Sequence, residues 1–570
     1  MEGDGGGEGG DAVLQGGGGG AVGGAARRGR LAPPCSRAGA HPFRSPHRHV
    51  SREDNIMEMA FVISMMLFTL RENLRYDRIP PFPWKGKRFV MFIGREEQLK
   101  QLGDLWRRDV ASLVTCRGRR RIGKSTLIAE FASRSHVRFL KLEGLPPRKG
   151  VTNEMQLEVF ARQLAEQTQS PFEPLTNWFD AFARLDKHID KRAKTVVLLD
   201  EISWMGKFDV NFPGHLKYAW DNRFSKKPKL IVVLCGSVSS WIDKYILKSK
   251  GFVGRPSLNL VVPELSMRES YTFWTKRGSG SRVSTSAVVD ILSITGGVPK
   301  YLESVDPALD ANANISKLCF RPGGLLVDEF DEIFDDSLDE NLGFKKKLLM
   351  ALAEGSKSPS ELAESLQVEV GGFISGNLVG LETAGFVAKD EGINPQNGKR
   401  SSLVRYRISD NYTRFYLKYI EPNRSLIKRG AYNFMSVEQL PGGKPILGLQ
   451  FESLICNNLV GVLKALDLDR TLLLSAAPYR QGETKRLKGC QIDLLLQTRR
   501  AVYVIEIKRR KSIGEEIVDE VREKMARLKV RRGMSVIPVL IYEGHVSARV
   551  EADGFFARMI PAEDILGGGE

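Results

Sequence analysis

The chain has 570 residues, which at roughly 100–200 residues per domain predicts about three or four folding units and excludes a single small module. Hydrophobic residues make up 42% and charged residues 27%, so the chain is neither fibrous nor wholly disordered. The net charge of +17 favours polyanionic partners, nucleotides or nucleic acid, without choosing between them. The six cysteines are scattered without metal-binding spacing and predict free thiols in a reducing cytoplasm.

Residues 1–88 predict a disordered or poorly folded leader. They begin with a glycine tract at Gly16–Gly20 and continue as a stretch rich in arginine, proline and histidine, which offers little apolar surface to bury. The apolar run Met59–Leu70 is shorter than the about 20 residues that cross a bilayer. The sequence therefore predicts a cytoplasmic protein with no membrane partner.

From residue 89 to residue 260, short β-branched runs alternate with helical patterns. The predicted strands are Ser112–Cys116, Thr195–Leu199 and Leu230–Leu234. Alternation of strands and helices is typical of a mostly parallel α/β sheet. Residues 261–335 predict helices, residues 343–420 a small helical module with a β-hairpin, and residues 445–560 a second α/β unit.

A phosphate-binding loop follows the first predicted strand. Residues 118–125 read Gly-Arg-Arg-Arg-Ile-Gly-Lys-Ser and open a helical pattern. In such a loop the glycines allow backbone N–H groups to surround phosphates, Lys124 supplies a cation, and Ser125 can bind Mg²⁺. The motif predicts ATP and Mg²⁺ as ligands. The predicted nucleotide-binding residues are Gly118, Arg119, Arg120, Arg121, Ile122, Gly123, Lys124, Ser125 and Thr126.

The second predicted strand ends in two carboxylates, Asp200 and Glu201. After a phosphate-binding loop, this arrangement predicts that Asp200 helps to hold Mg²⁺ and that Glu201 activates a water molecule. Lys124 and Glu201 are thus the predicted catalytic residues, and Ser125 and Asp200 the predicted metal ligands.

Two further residues have weaker signals. Ser237 ends the third strand, where it could sense the γ-phosphate or merely belong to a turn. Arg255 could act as a charge-stabilising arginine finger or be an ordinary surface arginine.

Four segments together resemble the archaeal-type AAA ATPases, a P-loop group related to the STAND signalling ATPases. The segments are Phe92–Glu96, Gly118–Ser125, Leu198–Glu201 and Gly296–Tyr301. The resemblance covers about residues 89–335 and implies an AAA-type parallel sheet over residues 89–260, a helical lid over residues 261–335, and self-association through the ATPase domain. It also implies that Pro299 lies near adenine, although a helix-breaking turn is the alternative.

Residues 343–420 show the order of a winged-helix module. The predicted helices are Lys345–Glu354, Ser358–Leu366 and Gly372–Ala384, followed by hairpin strands Gly385–Lys389 and Leu403–Ile408. The third helix would be the recognition helix, yet it contains no Lys or Arg, which favours a protein-interaction or structural role. The basic wing residues Lys399, Arg400, Arg405 and Arg407 could still contact phosphates.

The C-terminal unit carries a second group of charged candidate site residues, which we call the C-terminal constellation. Strands Gln491–Leu496 and Ala501–Lys508 flank a polar turn, and a two-residue turn at 499–500 places Asp493 opposite Glu506, with Lys508 on the same face. Two carboxylates and a lysine on one face can bind Mg²⁺ and activate water for phosphodiester cleavage. An ion-paired hairpin is the alternative.

This constellation looks like the Asp…Glu-x-Lys core of PD-(D/E)xK nucleases, and archaeal-type ATPases commonly carry such a restriction-endonuclease-like α/β domain. By that resemblance, Glu452 matches the helix acid of the core, whereas Ile492 stands where the family has proline. Basic residues that suit nucleic acid surround the motif: Arg480, Lys485, Arg486, Lys488, Arg509, Arg510 and Lys511.

The sequence therefore predicts an ATP-binding protein whose Mg²⁺-dependent hydrolysis is coupled to DNA binding or processing. The alternative is a STAND-like nucleotide-gated switch, or an interaction protein with an inactive nuclease-like domain.

Overall fold

The structure is a computed structural model. It describes residues 92–237, 239–275, 283–335, 341–401, 403–483 and 488–567. The predicted leader, and Lys485 and Arg486 of the basic set, lie outside the described residues. Val90–Glu570 is one compact unit.

The first sheet has five parallel strands, in the spatial order β2-β3-β4-β1-β5. They are β1 Ser112–Arg117, β2 Arg138–Glu143, β3 Thr195–Asp200, β4 Leu230–Gly236 and β5 Pro256–Val261. The three predicted strands are confirmed, and they are the central ones. The sequence analysis missed β2 and β5, which form the sheet edges and alternate buried with exposed residues.

Helices cover both faces of this sheet. They are α1 Glu96–Trp106, α2 Lys124–Arg134, α3 Asn153–Thr168, α4 Trp178–Lys187, α5 Ile202–Met205, α6 Phe212–Asn222 and α7 Ser239–Ile242. Alternate residues of β3 belong to two separate cores: Val196 and Leu198 to one, Val197 and Leu199 to the other. Burial on both faces explains why the central strands are continuous apolar runs.

The segment predicted as a lid is helical. It contains α8 Met267–Thr275, α9 Thr285–Thr295, α10 Pro299–Glu303, α11 Ala311–Cys319 and α12 Leu325–Asp335. Pro299 stands at the first position of α10, where its missing N–H costs nothing. A Cβ at Gly297 would lie 2.0 Å from the carbonyl oxygen of Leu265, so the turn between α9 and α10 accepts only glycine there.

The next elements appear in the predicted order. They are α13 Leu342–Leu352, α14 Pro359–Leu366, α15 Gly372–Thr383 and the antiparallel strands β6 Val387–Asp390 and β7 Arg405–Ile408. Ser358 and Glu361 form the capping box that the sequence indicates. Two short helices, α16 Asn411–Phe415 and α17 Arg424–Lys428, follow β7 and were not predicted.

A mixed sheet forms the C-terminal part, in the order β12-β11-β10-β9-β8. Its elements are α18 Gly443–Asn457, α19 Leu459–Ala465, β8 Leu473–Gln481, β9 Cys490–Thr498, β10 Ala501–Ile513, α20 Glu516–Arg527, β11 Ser535–Val546, α21 Ala548–Asp553, β12 Arg558–Pro561 and α22 Ala562–Leu566. The antiparallel pairing of β9 with β10, from Gln497↔Val502 to Leu494↔Ile505, has the register predicted from the two-residue turn.

One hydrophobic core crosses the boundaries of the predicted modules. It joins Val114 of the first sheet, Leu292 of α9, Tyr412 of α16, Phe451 of α18 and Ile541 of β11. Because these elements share one core, the modules after residue 260 cannot be separated without exposing apolar surface.

Within the described ranges, no single helix is both long and apolar enough to cross a membrane. Helices α18 and α19 meet that test only when they are taken together, across a bend of 79°.

Candidate functional site

A cavity of about 440 Å³ lies at the carboxyl edge of the first sheet. Its wall contains most of the predicted nucleotide-binding residues, namely Arg120, Arg121, Ile122, Gly123, Lys124, Ser125 and Thr126. Glu201 and Pro299 line the same cavity, as do Phe92 and Arg95, which the sequence analysis did not assign. The structure thus brings the loop, the strand-end glutamate and the proline of α10 together.

The loop backbone requires its two glycines. Gly118 and Gly123 have φ angles of 152° and 86°, and a Cβ at Gly118 would lie 2.4 Å from the carbonyl oxygen of Val262. Lys124, the first residue of α2, is buried, and its Nζ donates to the carbonyl oxygens of Gly118 at 3.0 Å and Arg119 at 3.1 Å. The lysine is therefore satisfied by neutral acceptors, which an anionic phosphate oxygen can replace.

Two carboxylates end β3. Asp200 is buried, and its Oδ2 lies 3.2 Å from Nζ of Lys141 on β2, a lysine that the sequence analysis missed. Glu201 is held in the left-handed region, with φ of 48°, and its Oε2 accepts from the backbone N–H of Ser237 at 3.1 Å and from its hydroxyl at 2.9 Å. Burial raises the pKa of Glu201 above its ordinary value. Ser237, predicted as a γ-phosphate sensor, therefore orients Glu201.

The two predicted Mg²⁺ ligands are placed differently, because Ser125 is in the cavity wall whereas Asp200 is not and contacts Lys141. Ser125 lines the cavity at the start of α2, and Asp200 ends the strand whose next residue, Glu201, also lines it. A hydroxyl and a carboxylate are hard oxygen donors of the kind that Mg²⁺ prefers together with phosphate oxygens.

Arg119 departs from the prediction, because its side chain is not part of the cavity wall. Its guanidinium is buried behind the loop, 2.5 Å from Asp410 and 3.3 Å from Glu264, and it donates to the hydroxyl of Tyr301 at 3.0 Å. The rings of Tyr301, Phe386 and Tyr412 lie 5.5, 5.8 and 5.9 Å from it. Only the backbone of Arg119 is therefore available to a nucleotide.

The other loop arginines contact α12. Arg121 forms an ion pair with Glu329 at 2.8 Å and another with Glu332, and Arg120 donates to the carbonyl oxygen of Glu332 at 2.9 Å. These contacts connect the phosphate loop to the last helix of the lid segment.

Arg255 lies away from this cavity. It precedes β5, whose first residue, Pro256, pairs with Leu113 near the amino end of β1, so it stands at the opposite edge of the sheet from the loop. It forms a two-point ion pair with Asp221 at 2.6 and 2.9 Å, and hydrogen bonding from Arg255 lowers the pKa of Asp221 to about 2. The finger role thus stays a prediction.

The residues of the C-terminal constellation also lie close together, and a second lysine joins them. Glu506 is fully buried. Lys508, predicted to share its face, forms an ion pair with it at 2.6 Å, as the alternative of an ion-paired hairpin implies, and Lys524 of α20 binds both of its oxygens at 2.7 Å. Asp493 accepts from the backbone N–H of Ile507 at 2.9 Å, and burial raises its pKa to about 6 and that of Glu506 to about 7. Glu452 of α18 is close enough for its charge to raise the pKa of Asp493 further.

Among the residues that the structure describes, no three His, Cys, Asp or Glu side chains are placed to hold a metal ion. At the C-terminal constellation the two lysines contact Glu506 instead. Lys524 could not have been paired with Glu506 from the sequence, because it lies on a helix that packs against the strands only in the folded chain.

Comparisons with known proteins find a family match for residues 92–305. A family profile described as "ATPase domain predominantly from Archaea" matches residues 92–305. The chain is 25% identical to an uncharacterized protein of Methanocaldococcus jannaschii over 411 residues, 71% of this chain and 84% of the relative. It is also 39% identical to an uncharacterized ATP-binding protein of that organism over 49 residues, 9% of this chain and 83% of the relative. The Walker-type ATPase of Pyrococcus abyssi aligns over 57% of this chain and 96% of its own, with 16% identity and a TM-score of 0.43.

Proposed function

The chain contains a P-loop ATPase domain of the predominantly archaeal family, and from this premise we propose that it binds ATP with Mg²⁺ and hydrolyses it, coupling turnover to DNA. The observation that carries the hydrolysis proposal is the meeting of Lys124 and Glu201 in one cavity, with Glu201 oriented by Ser237.

Each residue has a role that its contacts suit. Lys124 exchanges two neutral carbonyl acceptors for phosphate oxygens. Ser125 and Asp200 would hold Mg²⁺, which supplies charge neutralisation at the phosphates when bound. Glu201 takes the proton of the attacking water, a task for which its raised pKa suits it better than that of an exposed carboxylate.

Pro299 is proposed to contact the nucleotide base. It lines the cavity at the start of α10, together with Phe92 and the apolar Leu265. These side chains form an apolar wall beside the loop, which suits the flat, weakly polar face of adenine.

The downstream parts support coupling to DNA. Residues 343–420 have the element order proposed for a winged-helix module, and residues 445–560 contain the β9–β10 hairpin on which the proposed nuclease-like residues Asp493 and Glu506 lie. The net charge of +17 and the basic residues around β9 and β10 suit a polyanion. Self-association is proposed as well, because an arginine finger at Arg255, which lies away from the nucleotide cavity of its own chain, would have to serve a second molecule.

A nucleotide-gated switch is the second candidate. It is favoured by the contacts of Arg119 with Asp410 and of Arg121 with Glu329, which connect the phosphate loop to segments outside the sheet. It is also favoured by the binding of Glu506 by two lysines, which suits an inactive nuclease-like domain.

The test is phosphate release from ATP and Mg²⁺ by the full chain, with and without DNA, for the wild type and the Glu201→Gln variant. We expect turnover that DNA stimulates and that the variant loses, while the variant still binds a fluorescent ATP analogue. A matched control is Glu158→Gln, on the exposed face of α3.

Slow turnover that DNA does not change would favour the switch instead. Full turnover by Glu201→Gln would overturn the role of Glu201, and failure of the wild type to bind ATP would overturn the whole proposal.

A further inference from the structure

The amino edge of the first sheet carries a concentration of positive charge that neither the nucleotide site nor the C-terminal constellation uses. Three segments lead into adjacent strands at this edge: residues 107–111 into β1, residues 187–194 into β3 and residues 223–229 into β4. Together they contain ten lysines and arginines but only two acidic residues, Asp109 and Asp190. We call these three segments the amino-edge band.

Contacts among the segments indicate that they form one surface. The backbone N–H of Thr195, at the start of β3, donates to the carbonyl oxygen of Lys229 at 2.9 Å. Nζ of Lys194 lies 4.7 Å from the centre of the Trp106 ring, at the end of α1 directly before residues 107–111. The segment before β3 therefore lies beside both of the others.

Most of the exposed cations of the band have no carboxylate partner. In the part of the chain that the structure describes, five exposed side chains of the band form no hydrogen bond, ion pair or ring contact: Arg108, Lys187, Lys191, Arg192 and Lys226. In contrast, the exposed Arg162 of α3 and Arg522 of α20 each form an ion pair with an acidic residue one turn away. Unpaired like charges repel one another, and a polyanion bound to them removes that repulsion.

The surroundings of His188 indicate the same positive charge. This histidine lies in the segment before β3, where burial lowers its pKa and the charges of Arg138, Arg184 and Lys187 lower it further. Three neighbouring cations thus oppose its protonation. Arg138 is the first residue of β2, so the positive region extends to a fourth strand of the sheet.

We propose that the amino-edge band binds the phosphates of duplex DNA without reading the base sequence. Exposed lysines and arginines neutralise phosphates and release the counterions bound to them, which supplies the affinity of non-specific binding. The proposal deepens the coupling to DNA proposed above and rests on it. It assigns duplex binding to the ATPase domain, at the sheet edge opposite the phosphate loop.

Two strands connect the band with the proposed catalytic site. Strand β3 begins at Thr195 and ends directly before Glu201, and β4 begins at Leu230 and ends directly before Ser237, which orients Glu201. DNA on the band would therefore contact the segments that lead into the two strands that place Glu201 and Ser237.

The width of the band and the burial of its aromatic rings favour a duplex over a single strand. Adjacent strands of a sheet lie about 4.8 Å apart, so the three segments extend about 10 Å across the sheet before their side chains are added. This width is similar to that of the duplex grooves, about 6 and 12 Å, which phosphates border. A single strand would need rings on which its bases stack, but Phe224 is buried and Lys194 covers the ring of Trp106. An anionic membrane is less suitable, because Val110 is the only large apolar side chain that these fully described segments expose.

The test is the fluorescence anisotropy of a labelled duplex of about 20 base pairs, titrated with the full chain in EDTA and without ATP. A double variant, Lys191→Gln with Arg192→Gln, should weaken binding about tenfold and lower the slope of log affinity against log salt by about 2. The matched control is Arg148→Gln with Lys149→Gln, because it removes an adjacent, exposed pair of cations from the loop after β2, at the opposite edge of the same sheet.

Several results would overturn the proposal. They are the absence of duplex binding by the wild type, an equal loss in the control variant, tighter binding of a single strand of the same length, and competition by phosphatidylserine vesicles as strong as by unlabelled duplex. Wild-type affinity in the Lys191 and Arg192 variant would also overturn it, while leaving DNA binding by the downstream parts in place. Since the assay contains neither ATP nor Mg²⁺, duplex binding by a chain that lacks ATP turnover would remove only the ATPase proposal.

Discussion

The ATPase cavity and the C-terminal constellation contain similar residue types, but their lysines bind different acceptors. In both, carboxylates lie near lysines: Asp200 and Glu201 at the end of β3, and Asp493 and Glu506 within β9 and β10. Lys124 is bound by two backbone carbonyl groups, whereas Lys508 and Lys524 are bound directly by the carboxylate of Glu506.

This difference determines whether a ligand must break an ion pair in order to bind at each site. A lysine on neutral acceptors gains energy when an anion replaces them, so the loop is prepared for phosphate. A buried carboxylate that already holds two lysines must lose an ion pair before it can bind Mg²⁺, and the loss of that pair opposes metal binding. The same residue types thus give an open anion site in one region and a closed ion-pair cluster in the other.

The largest expected effects come from replacing Lys124 and Lys508, each in a separate variant. Lys124→Ala should lower ATP turnover at least about 100-fold, because it removes the cation that stabilises the transferring phosphate, while the fold is kept. Lys508→Ala should instead lower the free energy of unfolding by about 1–3 kcal/mol, since Glu506 keeps only one of its lysines. Phosphate release and urea unfolding, measured on both variants, check the contrast.

Lys187→Ala, an exposed change on α4, is the control for both measurements. The comparison fails if Lys124→Ala keeps its turnover, or if Lys508→Ala unfolds at the urea concentration of the wild type.

A second prediction concerns the buried cation of the loop itself. Arg119→Met should lower the free energy of unfolding by about 3–5 kcal/mol, because it leaves Asp410 buried without its partner. Combining it with Asp410→Asn should recover part of that loss, because the unpaired charge is then removed. The measurement is urea unfolding of the two single variants and the double variant. A loss below about 1 kcal/mol in Arg119→Met would show that Asp410 is solvated after all.

The smallest expected effect is the change that Asp493 causes in the free energy of unfolding as the pH changes. The pKa of Asp493 is about 6 in the folded chain, above its ordinary value of 3.8, so the folded state holds this proton more tightly than the unfolded state does. Stability is therefore lost as pH rises from about 4 to about 6, and the loss is complete above that range. Asp493→Asn should raise the free energy of unfolding by about 1–3 kcal/mol at pH 7.5 and leave it unchanged at pH 4.

The measurement for this prediction is urea unfolding at both pH values, with Asp519→Asn, an exposed change on α20, as the control. Destabilisation by Asp493→Asn at pH 7.5 would mean that the ionised carboxylate stabilises the cluster, contrary to its raised pKa.

The sequence predicted the parts of the molecule whose signals are local. The central strands are continuous apolar runs, and the phosphate loop sits between a strand and a helix. The register of β9 and β10 follows from a two-residue turn, and the capping box at Ser358 from residues three apart. The edge strand β2 was missed because its alternating burial gives it a weaker pattern than the strands beside it.

Contacts between distant segments could not be predicted. Arg119 lies within a motif that normally serves the nucleotide, and nothing near it indicates that its counter-ion lies 291 residues downstream. Lys141 and Lys524 reach their carboxylates across a strand pair and from a packed helix, respectively. Such partners are set by tertiary packing, which a single sequence does not display.

The pairing of Arg119 with Asp410 also bears on how this chain can be divided. A fragment that ends at residue 335 would retain the phosphate loop and the lid helices but would lose the carboxylate opposite Arg119 and the ring of Tyr412 beside it. Its loop would keep only Glu264, 3.3 Å away, as a counter-ion for the Arg119 guanidinium, or would open to hydrate that charge. The loop and the segment after the hairpin are therefore connected by a buried ion pair, and a break in the chain between residues 335 and 410 would separate Arg119 from Asp410.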